Sequence, residues 1–324
     1  MPGTRQARRF LGLSSVAVYG SPGMRRAFAP LALAAALALL AGCGGSPTAA
    51  PTTTTPSRPK QPLTLLAAGS PLKTIRAPYR TPRLPREVHV RRGRARLVLR
   101  LARRGLHTAI AAAAARGATR LELPLVPVSS SIALRPVHQL LHNDCEATAL
   151  SMLLAAAGVH AGQLELQEKL PVSEPLDPEP VAGSTLFRWG DPERGFVGRA
   201  DGGGPEGGFG VYEPPIRALA ARYGVHLVDL RGRSLAAVRA AVLAGRPVLA
   251  WVGLEPGPYL SWLTPSGREI TVNLNEHAIV LVGAGPGYVL VNDPLTGRRV
   301  RWSDALFSAR WKRLGRRALE LPRS

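Results

Sequence analysis

The stretch that decides the fold is QLLHNDCEATALSMLLAAAG, residues 139–158. It places Cys145 at the start of an apolar run with helical spacing, which predicts a helix over residues 146–157. Asn143 is a suitable N-cap residue, and Glu146 follows it at the spacing of a capping box. A thiol in the first helical turn lies near unsatisfied N–H groups that favour the thiolate. The stretch therefore raises the question of whether Cys145 is a nucleophile, a metal ligand or a small buried residue.

The other cysteine, Cys43, ends a segment typical of an export signal. MRRAFAPLALAAALALLAGC begins at Met24 with two arginines and continues as an apolar run. Its last four residues, Leu40 to Cys43, resemble a bacterial lipobox, whose cysteine receives a lipid. The alternatives are a plain signal peptide or a short membrane helix, although a spanning helix needs about 20 apolar residues. We expect residues 1–42 to be a signal peptide that starts at Met24, and lipidated Cys43 to hold the protein on the outer face of the cytoplasmic membrane.

The positive charge of the chain is concentrated near the N terminus. The 324 residues carry a formal charge of +21 at pH 7, and residues 43–130 hold 16 basic and 2 acidic side chains. Residues 131–324 are nearly balanced, with 21 basic and 19 acidic side chains. No basic patch is interleaved with aromatic residues, which argues against nucleic-acid binding. We expect the basic segment 58–120 to face anionic lipid headgroups or wall polymers near the anchor.

Composition divides the exported part of the chain into three regions. Residues 43–85 are rich in Pro, Thr and basic residues, which is typical of an extended tether. Residues 86–130 contain two alternating stretches around an alanine-rich one. This pattern predicts an N-terminal extension or, alternatively, a small separate strand–helix–strand unit. Residues 131–320 form the predicted main domain.

In the main domain the predicted helices come first and antiparallel strands follow, which indicates an α+β fold. Further helices are predicted at 214–223 and 234–244, and strands at PVLAWVG, EITVNL, HAIVLVG and YVLVND. The segment 171–211 shows no regular periodicity, and loops of that length are commonly functional. We expect it to line or cover a cleft. Its aromatic residues are candidates for substrate contact or for packing: Trp189, Phe196, Phe209 and Tyr212.

A candidate base follows in EHAIVLVGAGPGYVLVNDPLTG. Two apolar runs separated by a Gly/Pro turn predict a hairpin centred near residue 285. His277 and Asp293 lie eight residues on either side of that centre, which places them opposite each other. A carboxylate there would hold the imidazole by one ring nitrogen and leave the other facing the thiol.

Two further interpretations concern the residues just before Cys145. The amide of Gln139 could join the backbone N–H of Cys145 in binding an oxyanion, although such a residue on its own is usually a surface glutamine. His138, His142 and Cys145 have the spacing H-x3-H-x2-C, which is a possible zinc pattern. No second Cys/His cluster completes a closed zinc site. We therefore expect no metal and no cofactor.

Several motifs in order resemble papain-like cysteine peptidase family thirty-nine, in its soluble, exported branch. They are HNDCEATALSMLLAAAG, WGDPERGFVG, GFGVYEPPIRALAARYG, PVLAWVG, EHAIVLVGAGPGYVLVNDPLTG and FSARWKRLGRRAL, which together cover about residues 136–319. The resemblance implies a papain-like fold with its nucleophile helix packed on an antiparallel sheet. It also implies Cys145 as nucleophile, His277 as general base and acid, Asp293 as the orienting residue and Gln139 in the oxyanion hole.

The chain departs from the better-known members in two ways. Those members are fused to a transporter and cut leaders after a double glycine, whereas nothing here resembles a transporter. Glu146 stands where they have glycine, and its carboxylate would raise the pKa of the thiol unless capping holds it away. We expect a lipid-anchored, monomeric, extracytoplasmic cysteine peptidase or amide hydrolase acting on peptides or proteins. The alternatives are an inactive binding module with the same fold and a transferase that uses the same thioester.

Overall fold

The computed structural model describes residues 61–67, 70–76, 83–102, 104–123, 125–202 and 207–322. The predicted signal peptide, the lipidation site Cys43 and most of the tether lie outside these residues. Within the described ranges, no helix is long and apolar enough to cross a membrane.

The described residues form six helices and nineteen strands. The helices are α1 (Leu106–Ala115), α2 (Cys145–Ala156), α3 (Gln163–Lys169), α4 (Glu213–Arg222), α5 (Leu235–Leu243) and α6 (Asp304–Lys312). The strands of the N-terminal part are β1 (Leu63–Ala67), β2 (Ser70–Ile75), β3 (Glu87–Arg92), β4 (Ala95–Leu101), β5 (Arg120–Glu122) and β6 (Leu125–Ile132). Short strands follow at β7 (Val172–Ser173), β8 (Glu179–Pro180), β9 (Phe187–Arg188), β10 (Phe196–Gly198), β11 (Gly208–Gly210) and β12 (Val228–Asp229). The last are β13 (Val248–Gly253), β14 (Tyr259–Leu263), β15 (Glu269–Asn273), β16 (Glu276–Gly285), β17 (Tyr288–Asp293), β18 (Arg298–Ser303) and β19 (Ala318–Glu320).

A nine-stranded antiparallel sheet forms the centre of the fold. Its main path runs β12-β19-β13-β16-β6-β4-β3, and β17 pairs with both β16 and β18. Strand β16 is its hub, because β16 pairs antiparallel with β13, β6 and β17. Helices placed before an antiparallel sheet make the fold α+β, as the order of elements in the sequence predicts.

Both faces of this sheet are buried. Ala278, Val280 and Val282 of β16 pack into the core cluster that contains α2. The alternate residues Ile279 and Leu281 pack into a second cluster with α5 and α6. This period of two is the normal alternation of side chains along a strand. Each fully buried aliphatic side chain contributes about 1.5–3 kcal/mol, so α2 is held on the sheet by hydrophobic burial.

Helix α2 is buried on nearly every side. All ten residues from 145 to 154 are buried, whereas the sequence pattern suggests a single apolar stripe. The helix contacts β16 on one side and α3 and α4 on others, so it has no solvent face over most of its length. A helix that is apolar all round is expected in such a position. It begins at Cys145, one residue earlier than predicted.

The N-terminal extension contributes to two sheets. The first alternating stretch of residues 86–130 forms a hairpin of β3 and β4, and β6 joins this hairpin to β16 of the central sheet. Strand β6 crosses the boundary that the sequence predicts between residues 130 and 131. The other sheet has the order β2-β1-β5 and packs with α1 around Leu63, Leu65 and Ile110. Its strands β1 and β2 lie within residues 43–85, so the prediction of an extended tether is wrong for this part of the segment.

The segment 171–211 is more regular than the sequence predicts. Strand β10 pairs with β7 and β11, while β8 and β9 extend the sheet of β14 and β15. These strands have two or three residues each, which is too short to produce a periodic pattern. Residues 203–206 lie outside the described part of the chain. The sequence interpretation also missed α3 and α6.

Candidate active site

Cys145 is the first residue of α2, and its side chain is buried. Asp144 occupies the N-cap position and makes no side-chain capping hydrogen bond. The prediction of Asn143 as the helix cap is therefore wrong. The carboxylate of Asp144 instead accepts a hydrogen bond from the backbone N–H of Leu141, at 3.1 Å, and so tightens the turn before the helix.

Asn143 connects the start of α2 to the neighbouring loop. Its Nδ2 donates to the carbonyl oxygens of Gly202, at 2.9 Å, and Arg199, at 3.3 Å. Its backbone N–H donates to the carbonyl of Ala200, at 2.9 Å. Asn143 lines the cavity next to the thiol, so these bonds hold one wall of that cavity.

His277 and Asp293 come together at the open end of the β16–β17 hairpin. His277 Nε2 lies 2.7 Å from Asp293 Oδ1. The carboxylate also accepts the backbone N–H of Leu295, at 3.0 Å, and the hydroxyl of Thr296, at 2.9 Å. Burial opposes ionisation of Asp293, but these hydrogen bonds and the imidazole lower its pKa below the usual value. Asp293 is therefore a stable carboxylate that holds one ring nitrogen of His277.

The register of this hairpin differs from the predicted one. Gly285 pairs with Tyr288 and Val280 with Asn292, with a bulge between residues 281 and 283. One more pair in this register places residue 279, not His277, opposite Asp293. The offset is two residues, so both side chains stay on the same face of the ribbon and meet diagonally.

The thiol and the imidazole share one small cavity. The cavity has a volume of about 140 Å³, and its lining includes Cys145, His277, Gln139 and Glu276. The backbone N–H of Ala278 donates to Cys145 Sγ at 3.4 Å, which ties the sulfur to the strand residue next to His277. The structure thus brings Gln139, Cys145 and His277 to one cavity, with Asp293 bonded to His277, although residues 139 and 293 are far apart in the chain.

Gln139 is buried, and its amide hydrogens are already engaged. Nε2 donates to the carbonyl oxygens of Leu141, at 2.9 Å, and His142, at 2.8 Å. Oε1 is buried without a hydrogen-bond partner in the described part of the chain. A role in an oxyanion hole therefore requires Nε2 to exchange one of these carbonyls for the substrate oxygen.

Glu146 faces the thiol rather than capping the helix. Cys145 Sγ donates to Glu146 Oε2 at 3.2 Å, and Glu146 Oε1 accepts the backbone N–H of Val211 at 2.6 Å. Burial raises the pKa of Glu146 to about 7. Burial, followed by the charges of Glu146 and Glu276, raises the pKa of Cys145 well above its usual value. The thiol is therefore protonated at rest, and capping does not hold the Glu146 carboxylate away from it.

Glu276 is a site residue that the sequence interpretation missed. Burial and the charge of Glu146 raise its pKa well above the usual value, and its Oε1 is buried with no partner in the described residues. One ligand atom each from Cys145, Glu146 and Glu276 lies within 4.8 Å of the other two. These three residues could hold a cation. The alternation of side chains gives no hint of this, because it predicts that Glu276 and His277 point to opposite faces.

Gln163 is a second missed residue, and it shapes the segment that leads into α2. Its Nε2 donates to the carbonyl of His138 at 2.9 Å. Its Oε1 accepts the backbone N–H of Leu140 at 2.9 Å and the hydroxyl of Thr148 at 2.6 Å. The side chain therefore fixes the segment around residue 139 against α2.

The four aromatic residues predicted for the cleft separate into two groups. Phe209 lines the cavity beside the thiol. Trp189 and Phe196 are buried in the core, and Trp189 packs at 5.2 Å between ring centroids on Trp262. Tyr212 lies 3.6 Å beneath the guanidinium of Arg317. These three side chains pack inside the protein and do not line the cavity beside the thiol.

The zinc pattern of the sequence is not assembled. In the described part of the chain, the group close enough to share a metal ion is Cys145, Glu146 and Glu276, without His138 or His142. His142 uses its carbonyl to accept from Gln139 and lines the cavity. The histidines precede the N-cap, where helical spacing no longer applies.

Comparisons with known proteins agree with this architecture. Uncharacterized protein YvpB of Bacillus subtilis (strain 168) is 34% identical over 185 residues, which are 55% of this chain and 69% of that protein. A crystal structure of a protein assigned as a C39-like peptidase from Bacillus anthracis matches with a TM-score of 0.52 and 28% identity, over 59% of this chain and 96% of that chain. These matches confirm the predicted α+β, papain-like fold. Residues 131–319 match the Peptidase_C39 like family, and since they form more than half of the chain, the protein belongs to that family.

Proposed function

We propose that the protein is a cysteine peptidase or amide hydrolase in which Cys145 is the nucleophile and His277 the general base. The observation that carries this proposal is the 2.7 Å pair of His277 Nε2 and Asp293 Oδ1, since His277 lines the cavity that also contains the thiol. A carboxylate that binds one ring nitrogen leaves the other available for proton transfer. Family membership supports a peptide or protein substrate.

The reaction begins from a neutral thiol. The S–H bond turns from Glu146 toward His277, which takes the proton as the sulfur attacks the substrate carbonyl carbon. The backbone N–H of Cys145 stabilises the oxyanion. Nε2 of Gln139 becomes the second donor when it gives up its hydrogen bond to the carbonyl of Leu141 or His142. His277 then gives its proton to the leaving amine as the C–N bond breaks. Water, deprotonated by His277, hydrolyses the thioester and restores the thiol.

One observation favours a second candidate function, a binding module without activity. The thiol donates to Glu146, and burial together with two carboxylates raises its pKa. A thiol with a raised pKa is a poor nucleophile unless a base takes its proton. The same experiment separates the two candidates.

The test measures alkylation of the thiol and hydrolysis of a peptide library in wild-type protein and in His277→Ala. We expect His277→Ala to reduce hydrolysis by about 10²–10⁴-fold, the range of a general base. The variant should remain folded by circular dichroism, although the buried Asp293 loses a hydrogen-bond partner. His107→Ala, on the exposed face of α1, is the control and retains wild-type rates. Alkylation no faster than that of free cysteine, unchanged in His277→Ala, identifies the binding module. Product analysis with added amines distinguishes hydrolysis from transfer.

We also propose that Cys43 anchors the protein as a lipoprotein outside the cytoplasmic membrane, most simply as a monomer. The support is the sequence from Met24 to Cys43, which has the order of a lipoprotein signal. In bacterial cells, we expect the mature protein to carry a lipid mass on Cys43 and to fractionate with membranes. Cys43→Ala should abolish both. A Cys43→Ala protein that stays in the membrane fraction contradicts the lipid anchor.

A further inference from the structure

We propose that the cavity beside Cys145 binds the free α-ammonium group of the substrate residue that is acylated onto the thiol, with Glu276 as the carboxylate partner. This inference rests on the proposed function, since it names the substrate class of that same site. It makes the protein specific for amide bonds next to a free N terminus, that is, an aminopeptidase or aminoacyl-amide hydrolase.

Two buried acceptors without partners line this cavity. Oε1 of Glu276 and Oε1 of Gln139 have no hydrogen-bond partner in the described part of the chain, and both residues lie in the cavity wall. Gln139 is only 7% exposed. Buried polar atoms of folded proteins almost always have partners, so two unpartnered acceptors at one cavity indicate a ligand that donates hydrogen bonds. An ammonium group has three donors and no acceptor.

The charges around the cavity indicate that the donor is a cation. Both oxygens of Glu146 are engaged, one by Val211 and the other by the thiol, whereas Glu276 has no such bonds. The nearby guanidinium of Arg317 is held by Glu213, at 2.5 Å, and Glu193, at 2.7 Å. It makes no hydrogen bond to Glu276 in the described residues. Burial favours the neutral form of Glu276, and a positive group bound beside it would let it ionise and would offset the cost of a buried carboxylate.

The distances favour the α-amino group over a lysine side chain. A carboxylate oxygen of Glu276 lies within 4.8 Å of the cysteine sulfur. The α-nitrogen of an acylated residue is about 2.5 Å from the carbonyl carbon, given standard bond lengths. A charge-assisted hydrogen bond of about 2.8 Å then bridges it to Glu276. A lysine ammonium is four methylene groups, or about 6 Å when extended, from its own Cα. It would reach past a carboxylate oxygen that lies within 4.8 Å of the sulfur.

Gln139 can serve both polar groups of one aminoacyl residue. Its Oε1 is the unpartnered acceptor, and its Nε2 is the donor proposed for the oxyanion. The α-nitrogen and the carbonyl oxygen of an amino acid are close neighbours, as are the two ends of a glutamine amide. One buried amide would therefore position the amine and the carbonyl together.

The test is a binding experiment on the folded Cys145→Ala protein, which does not require catalysis. Its probes are alaninamide, N-acetylalaninamide and Nα-acetyl-lysinamide, and affinity is measured by calorimetry at pH 7. We expect alaninamide to bind at least 10-fold more tightly than either acetylated probe. Adding Glu276→Gln should remove that preference. Adding Glu269→Gln, an exposed carboxylate on β15, should leave the preference unchanged.

The possible results separate this inference from the proposed function. Equal binding of alaninamide and its acetylated form overturns the ammonium subsite, even if the enzyme hydrolyses peptides. Preferred binding of Nα-acetyl-lysinamide overturns the assignment to the α-amino group. Binding of Zn²⁺ by the wild-type protein, without binding of alaninamide by the variant, identifies a metal site and also overturns the proposal. An ammonium preference in a protein with no peptidase activity leaves the subsite standing and removes the proposed function.

Discussion

The carboxyl groups on the two sides of the cavity have pKa values that are shifted in opposite directions. On the hairpin side, Asp293 accepts hydrogen bonds from His277, Leu295 and Thr296, and its pKa lies below the usual value. On the helix side, next to the thiol, burial raises the pKa of Glu146 to about 7. Glu276, which the start of β16 places beside Glu146, has a pKa raised well above its usual value by burial and by the charge of Glu146. Similar side chains thus have opposite protonation preferences because their hydrogen-bond environments differ.

This difference suggests that the carboxyl groups on the two sides of the cavity have different roles. A fixed carboxylate is suited to orienting an imidazole, since it does not change charge as the proton moves. Carboxyl groups whose pKa values are raised by burial are suited to a ligand that brings its own positive charge, since they can ionise when it arrives. Four substitutions test this comparison, in order of decreasing expected effect.

Asp293→Asn tests the hairpin side. The amide keeps the shape of the carboxylate but loses its charge and favours the wrong imidazole tautomer. We expect hydrolysis to fall by about 10²-fold or more, with little change in melting temperature. The control is Asp304→Asn, which loses a carboxylate paired with Arg239 away from the cavity. Equal activity in the two variants would show that Asp293 does not orient the base.

Gly210→Ala tests how tightly the helix side is packed. Gly210 has φ +125°, and an added Cβ would overlap Glu146 Oε1 and lie 3.1 Å from Glu276 Oε2. We expect a loss of about 3 kcal/mol in the free energy of unfolding, from backbone strain plus overpacking. Gly224→Ala is the matched control, since Gly224 has φ +75° and open space around its Cβ position. It should cost about 1 kcal/mol. Equal losses would mean that the two carboxylates can move aside freely.

Glu146→Gln tests the raised pKa values. A carboxyl whose pKa is about 7 in the folded state and near 4.5 in the unfolded state binds more protons when folded between those values. Stability therefore falls as pH rises from about 4.5 to 7, by on the order of 1–3 kcal/mol. Urea unfolding at pH 5 and pH 8 should show a smaller decrease in Glu146→Gln than in wild type.

Cys145 should also be alkylated faster in Glu146→Gln than in the wild-type protein. Removing the charge beside Cys145 lowers the thiol pKa, and one unit corresponds to about a tenfold higher thiolate fraction. Glu269→Gln, an exposed change, should follow wild type in both measurements. A Glu146→Gln protein with the wild-type pH dependence would contradict a raised pKa of Glu146.

The features that could be predicted from the sequence are those encoded locally. Two apolar runs around a Gly/Pro turn identify the hairpin, and the even offset of its register still brings His277 and Asp293 together. The N-cap is Asp144 instead of the predicted Asn143, because the Asn143 side chain donates hydrogen bonds to carbonyls 56 and 59 residues away. Glu276 could not be predicted for the same reason, which is that its contacts involve residues far away in the chain. Its environment depends on Glu146 and Gly210, which only the folded chain brings near.

Thr148→Val tests the support of the helix side and should have the smallest effect. The Thr148 hydroxyl is buried and donates to Gln163 Oε1 at 2.6 Å. Its removal costs about 1 kcal/mol of unfolding free energy, because Gln163 loses one of its two donors in a buried site. The control is Thr271→Val, which removes a 2.7 Å bond to Ser261 at an exposed position and should cost less than about 0.5 kcal/mol. Since Gln163 also holds the segment around Gln139, Thr148→Val should lower kcat/KM modestly, because Gln139 is the proposed donor to the oxyanion and acceptor of the ammonium group. A kcat/KM equal to that of Thr271→Val would show that the Thr148 hydroxyl does not support the position of Gln139.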